Sequence, residues 1–252
     1  MSEPVLLEQK DGVVVLRLAS GANALDGALL AALRQALGTL RQQGAPALVL
    51  ASAHPRVFCP GLDLKKLDGA PRETVRTLME GFCGLLRELA TYPGPTVAAL
   101  AGHAIAGGCL LAMACDRRVM ARAGSRLGLS EVNLGIPVPA GAVAMLLALY
   151  PTRSVEQLVL EGDGYGGERA LELGLVERLA EGSEVLEEAV RLAKHLASRP
   201  AKAFQVAKSY LRAELAREME ARDRAELETF LDCWFHPDTQ DRIAALVAEM
   251  SR

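Results

Sequence analysis

Aromatic residues make up only 4% of this 252-residue chain, and tryptophan occurs once. With so few flat rings, and with basic residues that never gather into a run, the sequence offers no aromatic–basic face for nucleic acid. The net charge of −3 points the same way. Histidine is scarce: four residues, none at metal-ligand spacing from another or from a cysteine. The five cysteines (Cys59, Cys83, Cys109, Cys115 and Cys233) form no CxxC pair and sit mostly in apolar surroundings, as free thiols of a reducing compartment do. No secretory signal precedes the first strand, and no apolar run reaches the roughly 18 residues of a membrane helix. The expectation is a soluble cytoplasmic protein with no bound metal, no membrane contact and no nucleic-acid partner.

What is abundant is core: half of the residues are hydrophobic and 23% are charged. That suits one large globular domain, or one domain with a helical appendage. Two apolar stretches around Asp11-Gly12 predict a hairpin over Val5 to Gln9 and Val13 to Leu18. Asp26 is placed to cap a helix running from about Gly27 to Gln43, with leucines 29, 30, 33, 37 and 40 on one face. Ala47 to Ala51 predicts a buried strand, Arg72 to Thr91 a helix, and Thr96 to Leu100 a second strand. A helix-length apolar segment from Cys109 to Cys115 and a strand near Arg118 to Ala121 follow. Strand, loop and helix therefore repeat, which favours parallel strands with helical crossovers and ligands beyond their carboxyl ends. Leu127 to Pro139 predicts an apolar loop. Helices are expected over Ala140 to Leu149, Ser154 to Leu160 and Glu168 to Leu173, with a short strand at Val176 to Leu179. From Glu184 to Met250 the pattern is helical, broken at Pro200 and Pro237, and reads as an appendage on the core or on a neighbouring subunit. The division expected is a core over residues 1–183 and a helical region over 184–252.

The candidate chemistry gathers on three stretches. In Leu100 to Asp116, LAGHAIAGGCLLAMACD, a strand feeds the pair Gly107-Gly108 at a helix start. Bare N–H groups there admit a negative atom, or the glycines serve only tight strand–helix packing. A second glycine turn, Gly61-Leu62, follows another apolar strand, so two backbone donors converging on one carbonyl oxygen become a candidate oxyanion hole. The third stretch holds Glu131 among Leu129, Val132, Leu134 and Ile136. It is either an ordinary solvated carboxylate or a desolvated base with a raised pKa. His103 reads as a structural hydrogen-bonding group and Asp63 as a cap for the next helical turn. Lys65 and Lys66 read as a solvated pair rather than a phosphate site, and Cys109 as buried.

These motifs, in this order and spacing, resemble the crotonase (enoyl-CoA hydratase/isomerase) superfamily over essentially the whole chain. Phe58-Cys59-Pro60-Gly61-Leu62-Asp63-Leu64-Lys65 is similar to the family's first oxyanion loop, and Ala106-Gly107-Gly108-Cys109 to its second. Leu129-Ser130-Glu131 before Leu134-Gly135-Ile136 falls on its second acid/base glutamate. The resemblance implies an α/β fold, a spiral of ββα units with a C-terminal helical trimerisation region. It also implies a homotrimer or dimer of trimers, and acyl-CoA thioesters as substrates with no further cofactor. By the same resemblance the N–H groups of Leu62 and Gly107 hold the thioester oxygen. Pro60, Gly61, Leu62, Asp63, Leu64, Gly107 and Leu110 then line the substrate site, with Glu131 catalytic.

One departure bears on the reaction. Hydratases of the family carry another glutamate three residues after the second oxyanion glycine, and here that position is Leu110. Adding water is usually shared by two carboxylates, whereas moving a double bond from C3 to C2 needs one base and a stabilised dienolate. The sequence therefore looks most like the Δ3,Δ2-enoyl-CoA isomerase branch. The alternatives are another crotonase-type reaction, such as a decarboxylase or weak hydratase, and a non-catalytic family member acting as a scaffold.

Overall fold

A computed structural model of the protein describes residues 3–250. The chain opens with β1 (Val5–Lys10) and β2 (Val13–Leu18), an antiparallel hairpin turned at Asp11 and Gly12, both at positive φ. That is the left-handed pair a two-residue hairpin turn requires. In α1 (Gly27–Gln42) the Asp26 carboxylate accepts from the Leu29 N–H at 2.8 Å, and the five predicted leucines are buried. The chain continues through β3 (Leu48–Ser52), β4 (Val57–Cys59), α2 (Leu64–Leu67) and α3 (Arg72–Ala90). Next come β5 (Thr96–Leu100), β6 (His103–Ile105), α4 (Gly107–Ala114), β7 (Arg117–Ala121) and β8 (Leu127–Gly128). The middle ends with α5 (Glu131–Leu134), α6 (Ala140–Leu149), α7 (Thr152–Leu160), β9 (Gly164–Tyr165), α8 (Gly167–Glu172) and β10 (Arg178–Ala180). Three helices complete it: α9 (Val185–Ala197), α10 (Ala201–Trp234) and α11 (Pro237–Glu249). Pro200 immediately precedes α10 and Pro237 opens α11, so both predicted breaks fall at helix starts, where a missing N–H costs nothing.

Two sheets form, ordered β1-β2-β3-β5-β7-β10 and β4-β6-β8-β9. From β2 to β10 every pairing in the larger sheet is parallel. Successive strands alternate between the sheets, β3 then β4, β5 then β6, β7 then β8, each pair followed by helices. This is the ββα spiral. The second strand of each pair is what periodicity failed to show. At two or three residues these strands are too short for an alternation of period 2, and they exist because they pair with one another. The Leu127 to Pro139 segment is correspondingly not a plain loop, since it holds β8 and α5. The strand expected at Val176 to Leu179 sits slightly later, as β10, where it adds in parallel to β7.

The larger sheet buries both faces. Leu16, Leu48, Leu50, Ala98, Leu100 and Met120 face α1, α3 and α4. The alternate residues Val13, Val15, Val49, Val97 and Val119 meet Val185, Ala189, Val190 and Ala193 of α9. The first helix of the predicted appendage is thus one layer of the core. Helix α10 lies against α3 and α6, and α11 reaches α2 and α5. This places α11 beside the segment that follows Gly61-Leu62 and the helix that begins at Glu131.

Candidate active site

The two glycine turns meet. Gly61 has φ +98, a conformation that favours glycine, and a Cβ built there would lie 2.9 Å from the Ala106 Cβ and 3.2 Å from the Gly107 nitrogen. Asn23 holds the first turn from behind. Fully buried and itself at positive φ, it donates to Ser52 Oγ at 2.8 Å and to the Phe58 carbonyl at 3.0 Å, while its own oxygen accepts from the Ser20 N–H. Leu25 then bridges to Leu62: its N–H donates to the Gly61 carbonyl, and its carbonyl accepts from the Asp63 N–H. A parallel bridge of this kind turns the Leu62 N–H away from Leu25. Gly107 is the first residue of α4, where the N–H has no partner within the helix. Ala106, just before it, sits at φ 50 and ψ −124, a sparsely populated conformation for a residue with a Cβ and a mark of strain where the donor is aimed.

The two glycines of the second turn divide the work that the sequence left open. A Cβ on Gly108 would overlap the Cys59 carbonyl, so this glycine serves the close approach of α4 to β4. Gly107 instead borders a cavity of about 580 Å³. Its wall includes Ala22, Ala24, Pro60, Leu62, Asp63, Leu64 and Lys65 on one side, and Ile105, Ala106, Gly107, Ser130 and Glu131 on another. Met79 and Phe82 of α3 and Phe230, Trp234, Leu246 and Met250 of the C-terminal part enclose the remainder.

Glu131 is the first residue of α5, and Gly135 ends that turn in the left-handed conformation, returning Ile136 to hydrogen-bond the Glu131 carbonyl at 3.1 Å. The neighbouring turn is anchored by Asn133, which donates to the Gly162 carbonyl. Burial pushes the Glu131 carboxyl up to about 7, and the N–H groups of Ser130 and Glu131 oppose that push only in part. Its Oε2 is buried without a hydrogen-bond partner among the described residues. A carboxyl in an apolar wall, poised near neutrality and with a free oxygen, has the properties of a proton shuttle.

Of the predicted site residues, the cavity lining contains Pro60, Leu62, Asp63, Leu64, Gly107 and Glu131. Gly61 lies behind the wall, against Ala106 and Gly107. Leu110 is fully buried within α4 and is not among the lining residues. Asp63 precedes α2, yet its side chain makes no capping hydrogen bond; it stands 3.6 Å from Lys66, which also pairs with Asp26. The cap expected there is therefore supplied by the backbone, through the Asp63 carbonyl accepting from Lys66 and Leu67. Lys65 donates to the Met250 carbonyl at 2.9 Å. His103 is a half-buried strand residue whose N–H binds the Arg56 carbonyl. Cys109 is fully buried, and burial first, then the charge of Glu131, raises its thiol well above the usual range. The lining from α3, α10 and α11 was not legible in the sequence, although Phe230 and Trp234 stand four residues apart on one helix and include the lone tryptophan.

Comparison with known proteins bears directly on this arrangement. The sequence profile described as enoyl-CoA hydratase/isomerase matches residues 8–247. The chain belongs to that family. Among its curated relatives, the mouse (Mus musculus) mitochondrial enoyl-CoA hydratase domain-containing protein 2 is 33% identical over 188 residues. That match takes in 73% of this chain but only 63% of the mouse protein's length. A short-chain-enoyl-CoA hydratase from Clostridium acetobutylicum is 27% identical over 248 residues, covering 96% of this chain and 94% of its own. Among solved structures, an enoyl-CoA isomerase from Mycobacterium tuberculosis superposes with a TM-score of 0.83 at 29% identity, covering 91% of this chain and all of that one. The family thus includes proteins named as hydratases and as isomerases, and the ββα spiral that the resemblance implied is the architecture found.

Proposed function

We propose that the protein is an enoyl-CoA isomerase that moves a double bond from C3 to C2 of an acyl-CoA thioester. Glu131 takes a proton from C2 and returns it at C4. The N–H groups of Leu62 and Gly107 stabilise the negative charge that collects on the thioester oxygen in the intervening dienolate. The observation that carries this reading is the Glu131 carboxyl in the apolar cavity wall, one oxygen of which has no hydrogen-bond partner among the described residues, on the same cavity as the paired glycine turns. Hydration needs a second group to share the handling of water. Among the described residues the other carboxylate in the lining is Asp63, which is engaged with Lys66. At the position of the hydratases' other glutamate, three residues after the second oxyanion glycine, stands the buried Leu110, which fills volume behind the wall and adds no polar atom. The carbonyl is polarised by backbone donors, so the reading calls for no cofactor beyond coenzyme A in the substrate itself.

The reading extends to a cytoplasmic homotrimer or dimer of trimers. All five cysteines are free thiols, and α10 presents Tyr210 and Leu211 at 81% and 76% exposure, apolar surface that suits a subunit contact. None of the described helices is long and apolar enough to cross a membrane. The deciding experiment offers matched 2-enoyl- and 3-enoyl-CoA thioesters and follows isomerisation and hydration separately. Conversion of the 3-enoyl thioester without water addition is expected. Hydration of the 2-enoyl thioester at a comparable rate overturns the isomerase assignment.

A further inference from the structure

Glu131 opens a single helical turn, α5, in which Val132 and Asn133 are exposed and Leu134 is half-buried. One turn of helix does not hold itself together in water, so the direction of the carboxyl depends on what fastens that turn to the rest of the fold. Buried apolar residues anchor its flanks, Leu129 on one side and Ile136 on the other. Between them the fastening is polar. Asn133 Nδ2 donates to the Gly162 carbonyl at 2.8 Å, whereas Thr239 and Arg242 of α11 reach the carbonyls of Gly135 and Asn133 at 3.4 Å. The short bond is therefore the one made by Asn133. Its acceptor sits in a turn that leaves room for the amide: Gly162 has φ +70, and a Cβ there would lie 2.6 Å from Asn133 Oδ1. The same turn also holds the chain ahead of Glu131. Strand β9 pairs antiparallel with β8, Gly164 opposite Gly128, and a Cβ on Gly128 would lie 2.3 Å from the Asp163 carbonyl oxygen.

We infer that Asn133 is a positioning residue for Glu131: its bond to Gly162 completes a staple across the base, which the 162–165 segment holds ahead of it at Gly128 and after it at Asn133. This rests on the reading of Glu131 as the proton shuttle. Asn133 has no part in the substrate wall. With Val132 and Gly135 it borders a different cavity, on the outer side of α5, while Glu131 and Leu134 border the one that holds the glycine turns. Loss of the staple therefore leaves the walls that receive the thioester in place and frees the turn that carries the carboxyl. A misplacement of about 1 Å in a reacting group costs on the order of a hundredfold in rate, so one short bond outside the cavity is enough to matter. The position calls for a donor of asparagine's length, because the atom it must meet is a carbonyl oxygen; an aspartate would set oxygen against oxygen.

The test is the split between kcat and KM on a 3-enoyl-CoA thioester, with thermal melting to confirm that each variant is folded. Asn133→Ala removes the donor, and Asn133→Asp removes it while keeping the shape. Both should lower kcat by about ten- to a hundredfold. KM should stay within about twofold of the wild type, since the lost interaction serves the reacting geometry and not the binding of the thioester. Gly162→Ala, whose methyl displaces the amide from the other side, should lower kcat in the same way. Added to Asn133→Ala it should cost little more, because the two changes act through one contact. A purely structural asparagine would lower the melting temperature and leave the kcat of the folded enzyme alone. Unchanged kcat in folded Asn133→Ala and Asn133→Asp overturns the inference, as does a rise in KM with kcat intact, or full additivity in the double variant. Glu131→Gln measured in parallel tells the two failures apart. Near-normal turnover there means that the base itself is misassigned, whereas an inactive Glu131→Gln beside normal Asn133 variants overturns the staple alone.

Discussion

The two ends of α4 each face a carboxylate shielded from solvent, and the pair shows what distinguishes a structural acid from a reactive one. At the C-terminal end, Asp116 is surrounded by partners. It accepts from the N–H and hydroxyl of Thr96, from Lys208 at 2.6 Å, and has Arg212 at 3.6 Å. Lys208 also donates to the Gly94 carbonyl, so one buried cluster fastens α10 to the edge of β5. At the N-terminal end, Glu131 has no ion-pair partner and one oxygen without a hydrogen bond among the described residues, and a pKa raised to about 7. Burial acts on both. What differs is compensation: the satisfied acid holds two elements together, and the unsatisfied one keeps a proton available.

The comparison breaks first at Lys208. Replacing it by methionine removes the shorter of the two ion pairs of Asp116 and leaves Arg212 more distant, so unfolding free energy should fall by about 3–5 kcal/mol, the cost of opening a buried pair. Denaturant titration measures this, and a loss below about 1 kcal/mol would mean that Arg212 takes over as partner. At the other end, Glu131→Gln should lower isomerisation of a 3-enoyl-CoA by at least about a hundredfold. Near-normal turnover of a folded variant removes Glu131 from the mechanism.

The same variant should be more stable than the wild type at neutral pH. The folded carboxyl titrates near 7 and the unfolded one near 4.5, so between those values the native state holds a proton that the unfolded state has released. Wild-type stability therefore falls as pH rises through that window, by about 3 kcal/mol in all, and Glu131→Gln lacks this slope. Identical pH slopes for the two proteins would show that the carboxyl is not desolvated. The smallest effect is in the rate. A base must be deprotonated, so kcat/KM should decline below pH 7 by about tenfold per pH unit and level off above it. A limb centred near 4.5 contradicts the raised value.

Along α4 itself the limits of one-dimensional reading are visible. The pair Gly107-Gly108 looks uniform in sequence. Packing gives one glycine to the approach of β4 and the other to the cavity, a division that depends on the Cys59 carbonyl arriving from another strand. Asn23 gave no functional signal, because its importance lies in hydrogen bonds to Ser52 and Phe58, distant in sequence. Leu110 was expected at the substrate and lies behind the wall, because whether a helical residue reaches a cavity depends on which face its neighbours cover.

The long elements needed no tertiary knowledge. The hairpin at Asp11-Gly12, the Asp26 cap, the apolar parallel strands and the proline-opened helices follow from turn chemistry, periodicity and missing N–H groups, all local properties. The motifs likewise marked Gly61-Leu62, Gly107 and Glu131. Only the tertiary structure decided the short strands of the second sheet, which exist by pairing. It also decided the part of the cavity wall that comes from the C-terminal segments, where Trp234 of α10, Leu246 of α11 and Met250 join the lining that holds Glu131. Desolvation is a property of that assembled wall, so the raised pKa of Glu131 was fixed by packing between distant segments.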